Sequence, residues 1–394
     1  MTAEDRGLAR AAEAAAATGT DPELLGGVVA WLAVPRQGPT RLRRAAQRAP
    51  AEPPSRSLRQ VLPPRPSPEH GAAAATLLWR WAELGCRVAL VGDPAYPTRL
   101  VHGWPGGDAP PLLAWRGELA DERPAVALVG ARRATAYGTG VAAWLAGAAA
   151  EAGVRVVSGG AVGIDAAAHR AALDAPGATT VVLGCGHAVG YPRAHATTGA
   201  LFDQVVAAGG AVASELFADV RPTAGLVRAR NRLVAGMSDL TVVVEGGPRS
   251  GALLTAGAAA EQGGGVMAVP GDVRAPGSAA PHRLLSEGVP ACTHPQDLLE
   301  QLGRVGDPTA VGGSAGEADQ TGGAPTAAVR PSTLPEDVHQ QLADTWPRPI
   351  RLDDLAAATG RAPGPLLAAV TRAQVAGELA VDAEGVRLRQ RPAG

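Results

Sequence analysis

Val154-Arg-Val-Val157-Ser158-Gly-Gly-Ala-Val-Gly-Ile-Asp165 carries a β-branched apolar run straight into a glycine-rich turn and on into an alanine-rich helical stretch. Similar apolar runs occur at 125–129, 179–183, 211–213, 241–244 and 265–269, with about 20 to 30 residues of helix and loop between most of them. Strands that do not alternate apolar with polar residues are covered on both faces. The pattern therefore predicts an α/β fold, a parallel sheet with helices on either side.

Size and composition set outer bounds. At 394 residues the chain has room for two or three domains and a large core. Net charge is −1, so any polyanion site must be local rather than a global basic surface. Cys86, Cys185 and Cys292 are far apart and show neither metal-ligand pairing nor a disulfide framework, which fits a reducing compartment. The N-terminus lacks the apolar segment of a signal peptide, and no run of about 18 apolar residues occurs. A cytoplasmic location without membrane contact is expected.

Four regions follow. Residues 1–115 read as short helices broken by prolines, an N-terminal helical domain with a Pro-rich hinge at 49–68. Its Arg41-Leu-Arg-Arg44…Arg48 run reads as a solvated helix face in preference to a DNA contact. Residues 116–301 form the α/β core, and 302–333, rich in Gly, Ala, Thr, Pro and Asp, a flexible linker. Residues 334–391 read as helices at 335–344, 352–359 and 365–376, then a hairpin of 379–381 with 386–388, the pattern of a winged helix.

Ligands of parallel α/β sheets sit beyond the carboxyl ends of the strands, and three segments there carry chemistry. Gly130-Ala-Arg132-Arg133 follows the first strand; glycine permits a sharp turn and arginine grips phosphate through paired hydrogen bonds. Ser158, Gly159, Gly160 and Gly163 offer backbone N–H groups at a helix start, an anion cradle. Glu245-Gly-Gly-Pro-Arg-Ser250-Gly251 follows a third strand, with Ser250 as N-cap and Thr255 one turn on. NAD is disfavoured, because no acidic residue stands near 179–186 to hold a ribose. A Walker loop needs a lysine, and the chain has none. No cofactor is expected.

Asp165 and His169 share a helix face. They read either as an acid/base pair or, preferably, as Asp165 satisfying loop amides while His169 fixes the helix. No serine or cysteine occupies a nucleophile elbow, and His187, His195 and His282 lack ligand spacing, so neither catalysis nor a metal is indicated. The core is nearly neutral, yet Arg221, Arg228, Arg230 and Arg232 fall within twelve positions. Asn231, the chain's one asparagine, lies among them. If 228–232 is extended, the three arginines Arg228, Arg230 and Arg232 point one way. An extended polyanion held through its backbone suits them.

These residues also carry a family resemblance. Gly-Ala-Arg132, Ser158–Asp165, Ala168-His169, Tyr191-Pro192, Ser214-Glu215, Arg230-Asn-Arg232, Val-Val-Val-Glu245, Ser250-Gly251…Thr255-Ala256 and Pro270-Gly271 stand in an order similar to the DNA-processing protein DprA (Smf) family. Upstream, Tyr96-Pro97-x-x-Leu100 resembles it too. The resemblance implies an extended Rossmann fold behind a small domain of SAM-like or helix-hairpin-helix type. It implies a homodimer that binds single-stranded DNA and loads a RecA-type recombinase, as in natural transformation, without being an enzyme. On the same ground Arg132 holds a phosphate, the 158–163 loop supplies amides, and Arg230, Asn231 and Arg232 line the pocket.

Two departures stand out. Ala131 occupies a position usually serine in the family, and Leu226-Val227 stands where Phe-Pro is usual. Losing the aromatic removes a stacking platform worth about 1–3 kcal/mol per base. In the C-terminal unit the third helix holds one basic residue, Arg372, while Arg387, Arg389 and Arg391 decorate wing and tail, which favours a protein-contact or auxiliary role. The alternative function is a Rossmann-type nucleotide-processing enzyme of the phosphoribohydrolase kind, although the Pro-Gly-Gly-x-Gly-Thr motif of such enzymes is absent. A partner-binding module is the third reading.

Overall fold

A computed structural model describes residues 18–34, 39–48, 54–63, 67–101, 109–119, 123–189, 200–305, 335–345, 350, 352–361, 366, 370, 379–382 and 385–388. The chain divides into two compact units, Met1–Pro308 and Thr309–Gly394.

The first unit is built on an eight-stranded sheet in the order β1-β2-β6-β5-β4-β3-β7-β8. Six strands are parallel: β3 (Ala125–Val129), β4 (Arg155–Ser158), β5 (Thr179–Val182), β6 (Ala211–Ser214), β7 (Leu240–Val243) and β8 (Gly265–Ala268). All but the outermost, β8, are buried along their whole length, as their unbroken apolar character requires. Alternate residues serve opposite faces. Val126, Leu128, Val156 and Val242 pack on the helices Ala136–Glu151 and Ile164–Asp174. Ala127, Val129, Val157 and Val243 pack on the other side with Leu233, Val234, Ala252 and Ala256. Those four belong to the helices Asn231–Gly236 and Gly251–Glu261.

The chain winds outward from β3 through β4 and β5 to β6, then returns to lay β7 on the other flank of β3. Connections after β3 and β7 therefore leave the sheet on opposite sides, opening a crevice at their carboxyl ends.

β1 (Arg87–Leu90) and β2 (Leu112–Gly117) extend the sheet antiparallel, β2 pairing with β6 in the register Ala114↔Ser214. The expectation of helices alone over 1–115 is corrected here. Four apolar residues match a helix as well as a strand, and only β6, a hundred residues away, supplies the edge that settles the choice. Arg99 clamps the region with two hydrogen bonds to Asp239 at 2.8 and 3.0 Å, and the Ala125 N–H donates to the same carboxylate.

Upstream helices Pro22–Ala33, Pro39–Arg48, Pro54–Val61 and Pro68–Glu83 each begin at a proline, whose missing N–H is not needed in a first turn. Leu25, Val28, Leu42, Leu58, Leu78 and Trp81 join them to one core with β1 and β2. Where a linker was expected from 302, the helix Pro295–Val305 continues; residues 306–334 lie outside the described residues.

In the second unit the helices Glu336–Thr345 and Leu352–Thr359 and the hairpin Leu379–Asp382/Gly385–Leu388 occur. Val338, Leu342, Leu355, Leu366, Val370 and Val386 form its core. Most of the third helix expected at 365–376 lies outside the described residues.

Candidate nucleic-acid interface

A cavity of about 770 Å³ opens at the crevice between the β3 and β7 ends. Gly130 and Arg132 enter it from the turn after β3, Asp165 from the first turn of Ile164–Asp174, and Ser250, Gly251 and Thr255 from the loop and helix after β7. Arg228, Arg230 and Asn231 complete this set from the crossover between β6 and β7. Arg249 and Arg283, which the sequence reading did not select, also line it. Arg249 lies inside the quoted 245–251 loop and could have been chosen by its sign; Arg283, on the helix Ala279–Ser286, gave no local signal.

Among the described residues five arginines thus border the cavity against a single lining carboxylate, Asp165. Arg132, Arg228 and Arg249 are exposed, whereas Arg230 is 5% exposed and Asp165 7%. Arg283 pairs with Glu287 at 2.8 Å. The helix Gly251–Glu261 points its N-terminus at the same space, capped by Ser250, whose hydroxyl accepts from the Ala252 N–H at 3.2 Å. Its positive dipole end adds to the arginine field. Asn231 donates through Nδ2 to the Gly251 carbonyl at 3.0 Å, tying the crossover to that N-terminus.

The 158–163 loop acts from beneath. The Ala161 N–H donates to Asp165 Oδ2 at 3.2 Å, so an internal carboxylate occupies the predicted anion cradle. Ser158 donates to the Leu128 carbonyl at 2.6 Å and is fully buried. Gly159 leaves room for Arg230: a Cβ there would come 1.5 Å from Nη1. Gly163 has φ +83° and a Cβ on it would meet the Ala131 carbonyl at 2.3 Å, so only glycine lets the two loops touch. Gly160, with φ +66°, is equally obliged. These four residues shape the cavity without lining it.

Three other predicted residues stand outside the cavity lining. His169 is buried beside Thr179, Nδ1 to Oγ1 2.7 Å, and that hydroxyl donates to the Val156 carbonyl at 2.8 Å. A hydroxyl has one proton, so Nδ1 carries the hydrogen and His169 fastens its helix to β5. Glu245 accepts from the Thr135 N–H and hydroxyl at 2.9 and 2.5 Å, anchoring the loop that bears Arg132 at the N-terminus of Ala136–Glu151. Arg232 makes a two-pronged pair with Glu215 at 2.7 and 2.6 Å. The extended 228–232 segment is corrected as well: two short helices, Ala224–Ala229 and Asn231–Gly236, meet at a helical Arg230, so its arginines diverge. Arg221 is exposed and does not line the cavity; Tyr191, Pro192 and His195 lie outside the described residues.

Burial pushes the Asp165 carboxyl above its ordinary range, opposed by the Arg230 charge and by loop hydrogen bonds. A raised acid takes up its proton earlier as pH falls. Its contribution to stability is then present at low pH and lost as pH rises through the raised value. The same proton cancels the cavity's one negative charge. Phosphate-bearing ligands are expected to bind more tightly as pH falls through the Asp165 titration, an increment that Asp165→Asn should abolish. Anisotropy titrations over a pH series at fixed ionic strength check this; an unchanged pH profile in the variant overturns it.

Among the described residues no group of three His, Cys, Asp or Glu side chains could hold a metal ion, and no helix is long and apolar enough to cross a membrane. Cys86, Cys185 and Cys292 are buried thiols, pushed by desolvation to about 12, 11 and 12. Among the described residues no aromatic side chain lines the cavity; Val227, Leu253 and the half-exposed Leu254 provide its apolar wall.

The family model of DNA recombination-mediator protein A matches residues 87–303, more than half of the chain and the whole span from β1 past β8. The chain belongs to that family. It is 42% identical over 234 residues to the putative DNA processing protein DprA of Mycobacterium tuberculosis (strain CDC 1551 / Oshkosh), covering 57% of this chain and 59% of that protein. To protein Smf of Escherichia coli (strain K12) it is 41% identical over 209 residues, covering 52% and 54%. The chain thus spans a little over half the length of these curated relatives. The X-ray structure of DprA from Streptococcus pneumoniae is similar, with a TM-score of 0.50 and 29% identity over 66% of this chain and 86% of that one. The family match contains every cavity residue and the β1–β2 edge, and excludes the first helices and the second unit.

Proposed function

We propose that this chain is a recombination mediator that holds single-stranded DNA by its phosphates in the cavity between β3 and β7. The observation that carries the reading is the set of five arginines and a helix N-terminus around one buried carboxylate. Counter-ions released from the strand on phosphate contact drive such binding, and they make it steeply salt-dependent. A flexible single strand can bend into a recess that a stiff duplex only rests upon. Bases then lie on aliphatic side chains such as Leu254, and the backbone carries more of the affinity than in a site with aromatic platforms. Family membership and relatives named for DNA processing support the same role. Two protomers pair and the loaded strand passes to a RecA-type recombinase, with no reaction catalysed; residues 1–115 and 334–391 serve as accessory helical and winged-helix domains around the 116–301 core.

Fluorescence anisotropy of labelled single- and double-stranded oligonucleotides over a salt series tests this for wild type and Arg132→Ala. Expected are a preference for single strands and a salt slope shallower by about 0.7 in the variant, the share of one phosphate contact. Binding indifferent to Arg132 moves the site elsewhere. Absence of binding returns the nucleotide-processing reading.

A further inference from the structure

The helix Ala136–Glu151 begins soon after the turn that carries Arg132 and Arg133, and its second residue is Tyr137. More than half of that side chain, 53%, is exposed. Its hydroxyl donates to the Pro270 carbonyl at 2.7 Å, in the loop after β8. A ring tied down at its far end has little rotamer freedom left to lose, so a flat ligand laid on it costs less ordering entropy. Among the described residues no ring stacks on Tyr137. Trp144, two turns along the same helix, differs: His294 meets it edge-on at 5.0 Å.

The tyrosine belongs to the rim of the cavity. Its neighbours Thr135 and Gly138 both press on Glu245, Thr135 through the two hydrogen bonds described above and Gly138 so closely that a Cβ would come 2.3 Å from the carboxylate. The next residue, Gly246, packs against Ser250, which lines the cavity; a Cβ on it would come 2.8 Å from that side chain. Arg132, five residues before Tyr137, lines the cavity too.

Exposed apolar bulk gathers around this rim. Five large apolar side chains face water among the described residues: Trp79, Tyr137, Trp144, Leu254 and Val273. Tyr137, Leu254 and Val273 stand on the segments that leave β3, β7 and β8 at their carboxyl ends. Scattered apolar residues need no explanation, whereas three around one cationic cavity mark a surface that a ligand covers. A single strand has both properties required of that ligand. Its phosphates match the arginines, and every base offers a π-face to an aromatic platform whatever the sequence.

We propose that Tyr137 is a base platform for the strand held in the cavity, taking the base of a nucleotide just outside it, next to the phosphate held by Arg132. The proposal rests on the single-strand reading above, and salt dependence separates the two. Losing a phosphate contact flattens the salt slope; losing a stacked base leaves it unchanged.

The full chain carrying Tyr137→Leu, which keeps apolar bulk without a π-face, is titrated by anisotropy with oligo-dT and with a matched strand of abasic sugar-phosphates. Affinity for oligo-dT should fall about tenfold with the salt slope unchanged, while the abasic strand should bind variant and wild type equally. Tyr137→Trp should bind oligo-dT at least as tightly as wild type. Tyr137→Phe, which loses the anchor to Pro270 and keeps the ring, should lose less than Tyr137→Leu. Equal weakening toward both strands overturns the proposal, because it makes Tyr137 a support of the Arg132 turn. Unchanged affinity in Tyr137→Leu overturns it as well and leaves the rim to a protein partner. One arm needs no variant: wild type that binds the abasic strand as tightly as oligo-dT has no base platform. Failure of the cavity reading is distinct, since Arg132→Ala would then leave affinity and slope for the abasic strand unchanged.

Discussion

Replacing Arg230 with methionine is expected to cost about 1–3 kcal/mol of stability, because Asp165 then stays buried without the charge that opposes its desolvation. Arg230 and Asp165 are both buried, and the Arg230 charge is the strongest influence opposing the desolvation of Asp165. Methionine fills much of the volume but brings no charge, so Asp165 must sit ionised without compensation or take up a proton. Two further measurements identify the mechanism. The deficit should shrink on acidification, because a protonated Asp165 needs no cation. The double variant Arg230→Met/Asp165→Leu should recover most of the loss, because with both charges gone no buried charge is left uncompensated. Urea denaturation with an unchanged m-value reads all three. A single-variant loss below about 1 kcal/mol, in the range of an exposed pair, would show that the two charges do not depend on each other.

The largest effect on binding is expected from Arg132→Gln, Arg228→Gln and Arg249→Gln combined, with Arg230 left in place. All three side chains are exposed, so the fold has little to lose. Hydrogen bonds from a charged donor contribute about 1.5–3 kcal/mol each; the low end, taken three times, corresponds to roughly a thousandfold weaker single-strand binding. The salt slope should fall by about 2 at the same time. Anisotropy at two salt concentrations separates charge from shape: weakening that persists at high salt would point to altered shape. Less than tenfold loss at low salt would remove these arginines from the interface.

Much of the parallel sheet was legible in the chain. Runs such as 125–129 and 241–244 show no alternation of apolar with polar residues, the mark of strands covered on both sides, and the loops after them fall where a doubly wound sheet binds ligands. Ser250 as an N-cap was legible for the same local reason: its hydroxyl competes for N–H groups within two residues of itself. Gly159 and Gly163 were visible as special, though not their purpose. One makes room for a guanidinium from a distant crossover, the other for a carbonyl of a neighbouring loop.

The arginines of 228–232 divide the two sources of information. Sequence alone established that a cationic cluster containing the only asparagine stands near glycine-rich strand ends, because composition and order need no partner to be read. It could not tell the three arginines apart, for alternation by two looks the same in any conformation. Helical winding of about 100° per residue sends them in different directions. What each meets there depends on β6 and on the helix after β4. Arg232 finds Glu215 and is neutralised, Arg230 turns inward over Gly159 where its charge acts on Asp165, and Arg228 keeps its charge at the cavity wall. Tertiary packing made that selection, since a charge is strengthened or cancelled by what lies within a few ångströms of it, and those neighbours come from segments far away along the chain.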